Sequence, residues 1–94
     1  MALYYTYIAF STVNKLHSIG VTNNLFRRFK LLNQHQENEQ KGRCKLVYYE
    51  EFSSSNDATM RETELVSFHE SLLRVLVEES NPMIVDLLKK EIIE

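Results

Sequence analysis

Glu62 is the residue whose type and position most clearly indicate chemistry. If it lies in a helix, its neighbours at a spacing of three or four residues are Ala58, Leu65 and Val66, so it sits inside an apolar stripe. A glutamate is seldom buried without a partner, and inward-pointing carboxylates are enriched in metal and catalytic sites. The same spacing also fits a glutamate at the edge of the stripe, or one paired with a structural arginine.

Arg28 is the second candidate, because it could bind a phosphate. Leu25, Phe29 and Leu32 recur at helical spacing and predict one apolar stripe on a helix. Arg28 lies beside this stripe, whereas Arg27 points nearly opposite. An arginine at the border of a core can reach a cleft and bind a phosphate through two parallel hydrogen bonds. The alternative is a solvated arginine whose alkyl stem covers apolar surface.

Two neighbouring strands carry further residues that could line a site. By two-residue alternation, Tyr7 shares its face with Tyr5, and Ser18 shares its face with Gly20. Because glycine has no side chain, Gly20 leaves room for another backbone or a ligand to approach. The alternative is that the strand tyrosines only pack the sheet. A base-stacking surface is disfavoured here, because no basic residues are interleaved with the strand aromatics.

The remaining reactive residues form no recognisable catalytic pattern. His17, His35 and His69 lack the spacing of metal ligands. Cys44 is the only cysteine and stands in no nucleophile motif, and the sequence contains no glycine-rich phosphate loop. These features disfavour a histidine metal cluster, thiol catalysis and P-loop nucleotide hydrolysis.

Alternation and helical spacing predict an α+β fold with three strands and four helices. The first strand is apolar on both faces, which is typical of a strand covered on both sides. The polar residues around Asn14 predict a hairpin, so the first two strands pair antiparallel. The last helix is amphipathic and predicts packing on a partner, for example in a homodimer. The predicted strands are 3–10, 16–21 and 44–52, and the predicted helices are 25–32, 58–68, 72–77 and a last one carrying Ile84, Leu88 and Ile92.

Length and charge limit the class of protein. The 94 residues suffice for one domain, 1–94, and not for two. A single cysteine, no signal-peptide pattern and no apolar run of about 20 residues predict a cytoplasmic protein without a membrane segment. The net charge is −2, from 11 basic and 13 acidic residues. Nucleic-acid-binding proteins usually carry a basic field, so any such role requires a local patch.

The ordered motifs resemble those of the GIY-YIG nuclease superfamily. The resemblance covers about residues 4 to 88 and is most specific in 19–28. In detail, the chain is similar to the small stand-alone branch related to the N-terminal cleavage domain of the bacterial excision-repair excinuclease, which implies a role in DNA repair. The segments that carry the resemblance are 4–8, 16–28, 45–52, 58–62 and Asn81-Pro82.

The resemblance implies a three-stranded antiparallel sheet flanked by helices and a phosphodiesterase site with one metal ion. Tyr7 matches the tyrosine of the first motif, which is proposed to help activate the attacking water. Arg28 matches the arginine that stabilises charge on the phosphate. Glu62 matches the glutamate that holds Mg²⁺ or Mn²⁺. The residues expected to contact the DNA substrate are Ser18, Gly20 and Arg27.

Two residues of the family pattern are replaced. Ser18 stands where the second motif normally has a tyrosine, and a serine is shorter and far less acidic. Leu32 stands where a histidine follows the arginine by one helical turn, and leucine cannot transfer protons. His35 could compensate only if the helix continues and bends. Two functions therefore stay open: a weak or specialised metal-dependent endonuclease acting on DNA, and a degenerate domain that binds nucleic acid or protein.

Overall fold

The computed structural model describes residues 2–34 and 44–88. In this part of the chain, three antiparallel strands and three helices form the α+β arrangement expected from the sequence. No helix in it has the length and apolar character needed to cross a membrane. The elements in chain order are β1 (Tyr4–Ser11), β2 (His17–Thr22), α1 (Leu25–Gln34), β3 (Cys44–Phe52), α2 (Ser55–Val66) and α3 (Glu70–Ser80).

The sheet places β1 between its two partners, in the order β2-β1-β3. Both pairings are antiparallel. Side chains of β1 alternate between two faces, with Tyr5, Tyr7 and Ala9 on one and Thr6 and Ile8 on the other. Since residues 6 to 9 are all buried, the central strand is covered on both sides, as its apolar sequence predicts.

One face of the sheet packs against α2 and α3. Its core, here called the α2–α3 cluster, consists of Ile8, Val47, Leu65, Leu73 and Val77, each at most 5% exposed. Burying side chains of this kind contributes about 1.5–3 kcal/mol each.

Thr6 fastens α2 to this same face. Its hydroxyl is fully buried and donates to the carbonyl oxygen of Ala58 at 2.7 Å. This hydrogen bond satisfies a polar group inside the core and sets the position of α2 along β1.

The opposite face packs against α1. Its core, the α1 cluster, consists of Tyr7, Ala9, Phe29 and Leu46, with other apolar side chains packed around it. Thus the apolar stripe of α1 faces the sheet, and the two helical layers lie on opposite sides of one sheet.

Capping groups explain where two of the helices begin. The Asn24 side-chain oxygen accepts from the backbone N–H of Arg27 at 3.0 Å, so Asn24 caps the start of α1. The Ser54 hydroxyl accepts from the N–H of Asp57 at 3.3 Å. This cap starts α2 at Ser55, earlier than the predicted start at 58, and the helix ends at Val66 rather than 68.

The hairpin turn shifts the start of β2. Lys15 adopts a left-handed backbone conformation with φ of 65°. The backbone N–H of Leu16 donates to the side-chain oxygen of Asn14 at 3.0 Å, so Leu16 belongs to the turn. The strand therefore begins at His17, whereas the sequence predicted 16.

The predicted last amphipathic helix is wrong at its start. Ile84 has a φ of 51° and lies outside any helix, because the chain turns after Asn81 and Pro82. Ile84 packs against the α2–α3 cluster, while Leu88 packs against the α1 cluster. These two residues therefore serve different cores rather than one stripe, and Ile92 lies outside the described residues.

Candidate functional site

Tyr7 and Gly20 face each other across β1 and β2. A Cβ atom placed on Gly20 would lie 2.4 Å from the Tyr7 hydroxyl oxygen, closer than atoms can approach. The phenol of Tyr7 therefore lies directly over Gly20 and needs a residue without a side chain there. The bare glycine predicted the approach of another backbone or a ligand, whereas the group that approaches is the side chain of Tyr7.

Arg28 completes this arrangement from α1. Its Nε atom donates to the Tyr7 hydroxyl oxygen at 3.0 Å. The side chain is otherwise largely exposed, and no other residue in the described part of the chain binds its guanidinium. The terminal nitrogens of Arg28 can therefore bind a phosphate, which is a common ligand of an arginine fork.

Phe29 fixes the ring of Tyr7. The two rings meet edge to face, with centroids 5.1 Å apart and planes at 70°. Because Tyr7 is only 4% exposed, its ring has little freedom. Arg28 uses an acceptor site of the phenol oxygen, which leaves the hydroxyl proton available to a phosphate oxygen or a water.

Arg27 lies on the other side of α1. It is exposed, and only its backbone N–H takes part in the cap described above. The helical position thus separates the two adjacent arginines: Arg28 reaches Tyr7, whereas Arg27 extends into solvent, where it could meet a DNA backbone.

Glu62 is half-buried on α2, between Ala58 and Leu65, which are both fully buried. Its carboxylate has no hydrogen bond or ion pair with the described residues. The interpretation in which Glu62 pairs with a structural arginine is therefore wrong for this part of the chain. An unpaired, partly buried carboxylate fits a magnesium site of the kind in which one side chain, several waters and a substrate phosphate complete the coordination.

The metal site would not be a closed protein cage. In 2–34 and 44–88, no three His, Cys, Asp or Glu side chains come close enough together to hold a metal ion. Glu62 also belongs to a helix on the sheet face opposite to Tyr7 and Arg28. No contact joins Glu62 to Tyr7 or Arg28 in the described residues.

The two replaced family positions have different environments. Ser18 lies opposite Ala9 and is exposed, so the surface at this point is open. Leu32 is half-buried and packs against the α1 cluster, where it serves the core. His35, the residue that could have compensated, lies outside the described residues.

Sequence reasoning missed a network next to Glu62 on α2. The guanidinium of Arg61 binds both carboxylate oxygens of Glu50, at 2.9 and 3.0 Å. A third nitrogen of Arg61 binds Glu64 at 3.0 Å, and the Tyr48 hydroxyl donates to Glu50. The structural arginine considered as a partner for Glu62 exists, but it binds Glu50 of β3.

Burial and pairing shift the ionisation of this network. Burial raises the pKa of Tyr48 to about 12, helped by the hydrogen bond to the Glu50 carboxylate. Burial also acts to raise the pKa of Glu50, but the hydrogen bonds from Arg61 and Tyr48 outweigh it and lower that pKa. The Glu50 hydrogen bond raises the pKa of Arg61. All three groups therefore keep their ordinary charge state at neutral pH.

His17 and Asn81 are two further polar residues with structural partners. The His17 ring binds the Glu70 carboxylate at the start of α3, and its side chain is only 4% exposed. It lies on the face away from Tyr7. Asn81 is 5% exposed and binds the backbone of Val47 and Val85 at 2.9 to 3.1 Å. Neither side chain is placed to take part in the chemistry at Tyr7.

The structure is a small α+β domain in which the Tyr7–Arg28 pair lies over Gly20. A comparison with protein families gives its class: the profile of the GIY-YIG catalytic domain matches residues 3–73. This match covers more than half of the chain, and the chain belongs to the GIY-YIG family. Its members are nuclease-type domains that act on DNA and generally depend on a metal ion. The resemblance to the excinuclease branch stays a prediction.

Two other comparisons gave nothing further. No curated protein and no solved structure matches this chain significantly. The individual roles of residues therefore rest on the geometry described above and on the family motifs.

Proposed function

We propose that this protein is a metal-dependent endonuclease that hydrolyses DNA phosphodiesters through Tyr7, Arg28 and Glu62. The observation that carries the proposal is the hydrogen bond from Arg28 to the Tyr7 phenol at 3.0 Å, above the bare backbone of Gly20. This hydrogen bond uses only the Nε atom of Arg28, so its two terminal nitrogens can bind a phosphate beside the Tyr7 hydroxyl.

Each of the three side chains has a distinct role in the proposal. Arg28 binds the non-bridging oxygens of the scissile phosphate and stabilises their developing charge. Tyr7, held by Arg28 and Phe29, orients the attacking water. Glu62 supplies the carboxylate that would hold Mg²⁺ or Mn²⁺. When bound, such an ion would polarise the phosphoryl oxygen and help the leaving group depart.

The edge strand β2 is the proposed meeting place of these groups. Tyr7 and Arg28 approach β2 from the α1 face, and α2 with Glu62 packs on the other face. DNA lying along this edge would meet Gly20 and the exposed Ser18 first. The exposed side chain of Arg27 would contact the backbone beyond the scissile phosphate.

A second candidate function is a degenerate domain that binds nucleic acid or protein without cleavage. Leu32 favours this second function. It packs against the α1 cluster, and no movement of a leucine side chain can supply the proton transfer of the missing histidine. A domain that keeps the arginine but lacks one tyrosine and the histidine could bind a phosphate without hydrolysing it.

The test is cleavage of supercoiled, branched and single-stranded DNA with Mg²⁺ or Mn²⁺, using wild type, Glu62→Gln and the control Glu79→Gln. Glu79 is an exposed glutamate on α3. We expect cleavage by wild type and the control, and a loss of about 100-fold or more in Glu62→Gln. Equal cleavage by Glu62→Gln and Glu79→Gln would contradict the proposal. DNA binding without cleavage by the wild type would favour the second candidate.

A further inference from the structure

An open groove beside Tyr5 is not used by the chemistry proposed above. It has a volume of about 360 Å³ and lies where the start of α1 meets β1 and β3. The lining residues that matter here are Tyr5, Asn23, Asn24, Phe26, Tyr49 and Glu51. We call it the tyrosine groove.

Aromatic rings form the walls of the tyrosine groove. Tyr5 and Tyr49 meet edge to face, with centroids 5.9 Å apart and planes at 79°. Phe26 is 57% exposed although it is a large apolar side chain. Open aromatic surface of this kind can stack against a planar ligand. Arg27 and Arg28 follow Phe26 on α1 and carry the positive charge that the strands lack.

Polar groups form the rim of the tyrosine groove. The Glu51 carboxylate is exposed and has no hydrogen bond or ion pair with the described residues. Asn24 uses its side-chain oxygen in the helix cap, so its amide nitrogen offers two free donors. Asn23 is also exposed. The rim therefore combines a carboxylate that accepts with amides that donate.

This combination matches the Watson–Crick edge of guanine better than that of the other bases. Guanine presents two adjacent N–H donors, at N1 and N2, which a carboxylate such as Glu51 can accept together. Its O6 atom accepts a hydrogen bond and suits the amide of Asn24. This edge is accessible only in an unpaired nucleotide. The negative charge of Glu51 also disfavours a phosphate in the groove and so favours a base.

The position of the groove links it to the proposed phosphate site. Tyr5 and Tyr7 share one face of β1 and lie about 7 Å apart along the strand. Arg28 follows Asn24 by one helical turn, and its backbone N–H donates to the Asn24 carbonyl at 3.0 Å. The groove and the proposed phosphate site therefore share α1 and one face of β1.

We propose that the tyrosine groove binds an unpaired guanine next to the phosphate held by Arg28. The preferred substrates are then single-stranded or branched DNA with a guanine at this position. The location of the base relative to the scissile bond rests on the proposed nuclease function, whereas the binding of guanine does not.

The test measures binding without cleavage. Fluorescence anisotropy in EDTA would compare thymine oligonucleotides that carry one central guanine, adenine or cytosine, together with a duplex of the guanine sequence. The proteins are wild type, Glu51→Gln, Phe26→Ala and two matched controls, Glu78→Gln and Met60→Ala. Met60 is 65% exposed on α2, and Glu78 is exposed on α3, so both lie outside the groove. Circular dichroism checks that each variant folds.

We expect the guanine oligonucleotide to bind wild type about fivefold or more tightly than the other two, since a paired hydrogen bond to a base gives discrimination of this order. Glu51→Gln should lose this preference, and Phe26→Ala should weaken binding about fivefold or more through lost stacking. The controls should behave as wild type. Equal affinity for the three oligonucleotides, a preference that survives in Glu51→Gln, or an equally tight duplex would overturn the proposal. The assay contains no metal and so does not depend on cleavage. A guanine preference would support guanine binding even in a protein that cleaves no DNA. Cleavage without a guanine preference would reject the guanine proposal and leave the proposed nuclease function intact.

Discussion

The phenol of Tyr7 occupies the space that any side chain at position 20 would need. The sequence predicted only that Gly20 leaves room for another backbone or a ligand. The identity of that group depends on the register between β1 and β2, which pairs Tyr7 with Gly20. A hairpin of another register would have placed a different residue opposite the tyrosine, so the sequence could predict the gap but not its occupant.

Gly20→Ala tests the close approach directly. The new methyl group would have to displace the Tyr7 ring, because the two would lie 2.4 Å apart. We expect the free energy of unfolding to fall by about 1–3 kcal/mol, as in other overpacked cores. Urea denaturation measures this change. Ser18→Ala is the matched control, on the same strand and face, and should change stability by less than about 0.5 kcal/mol. Equal midpoints for the two variants would show that the ring moves without cost.

Glu62 and Arg28 show which properties of single residues helical spacing can predict. The spacing placed Arg28, rather than Arg27, beside the core of α1, and the hydrogen bond to Tyr7 agrees with that placement. It also placed Glu62 inward on α2, and the residue is half-buried. It could not assign the arginine partner, because Arg61 and Glu50 come from separate elements whose packing is a tertiary property.

At the scale of elements, α2 is held at two points along its length. Thr6 binds its first turn, and Arg61 binds Glu50 of β3 near its middle. Glu62 follows Arg61 directly, so the Glu50–Arg61 pair also limits where the proposed metal ligand can lie. Thr6 and Glu50 come from two different strands, and periodicity alone does not identify such partners.

The Glu50–Arg61 pair gives the stability of the fold a dependence on acid. The folded-state pKa of Glu50 is lowered, whereas the unfolded chain has the ordinary value of about 4.3. The stabilisation is therefore complete at neutral pH and is lost as pH falls through the folded pKa. We expect the free energy of unfolding to decrease less between pH 7 and pH 3 in Glu50→Gln than in wild type. Denaturation at several pH values measures this slope.

An exposed glutamate provides the control for this experiment. Glu78 pairs with Arg74 at 3.7 Å, and both side chains are at least half exposed. Such pairs contribute little, so Glu78→Gln should keep the wild-type slope. If Glu50→Gln also kept the wild-type slope, the Glu50–Arg61 pair would not hold α2 in the way described above.

Asn81 connects the end of α3 to the sheet. Its amide group satisfies the carbonyl oxygen of Val47 and both backbone polar groups of Val85. Asn81→Ala would leave the carbonyl oxygen of the fully buried Val47 unpaired and remove both bonds to Val85, so we expect a loss of about 1–3 kcal/mol in stability. Thermal or urea unfolding measures it, with Asn56→Ala, an exposed position in the first turn of α2, as the control. If Asn81→Ala lost no more stability than Asn56→Ala, Asn81 would have no role in stabilising the fold.

The elements were more predictable than their ends. The predicted β3, 44–52, agrees with the structure, because an apolar centre between polar stretches marks a strand at both ends. The start of α2 was missed by one turn, because Ser54 rather than a later residue provides the cap. The predicted last helix is wrong at Ile84. Ile84 and Leu88 have helical spacing in the sequence, but the chain turns between α3 and Leu88, and the two residues pack in different cores.

At the scale of the whole molecule, charge limits how the protein can bind DNA. The net charge of −2 gives no general attraction, so binding must come from a few cations near the proposed site. Arg27 is an exposed cation on α1. The proposed homodimer is also weakened at this scale, because Ile84 and Leu88 already pack within the chain.

Salt dependence measures the contribution of Arg27. For single-stranded DNA, each neutralised phosphate contributes a slope of about −0.7 to the logarithm of the binding constant against the logarithm of salt concentration. We expect Arg27→Gln to reduce the magnitude of this slope by about 0.7. Arg74→Gln, at an exposed position on α3, should leave it unchanged. Identical slopes for wild type and Arg27→Gln would exclude a phosphate contact at this residue.

The central claim is that groups on opposite faces of the sheet act on one phosphate. The most direct measurement is a double-mutant cycle on kcat/KM for DNA cleavage with Mg²⁺, using wild type, Arg28→Ala, Glu62→Gln and the double variant. Residues that act together in one transition state show strongly non-additive losses. We expect the double variant to cleave about as slowly as the worse single variant. Losses that simply add, or wild-type activity in either single variant, would mean that Arg28 and Glu62 do not form one catalytic site.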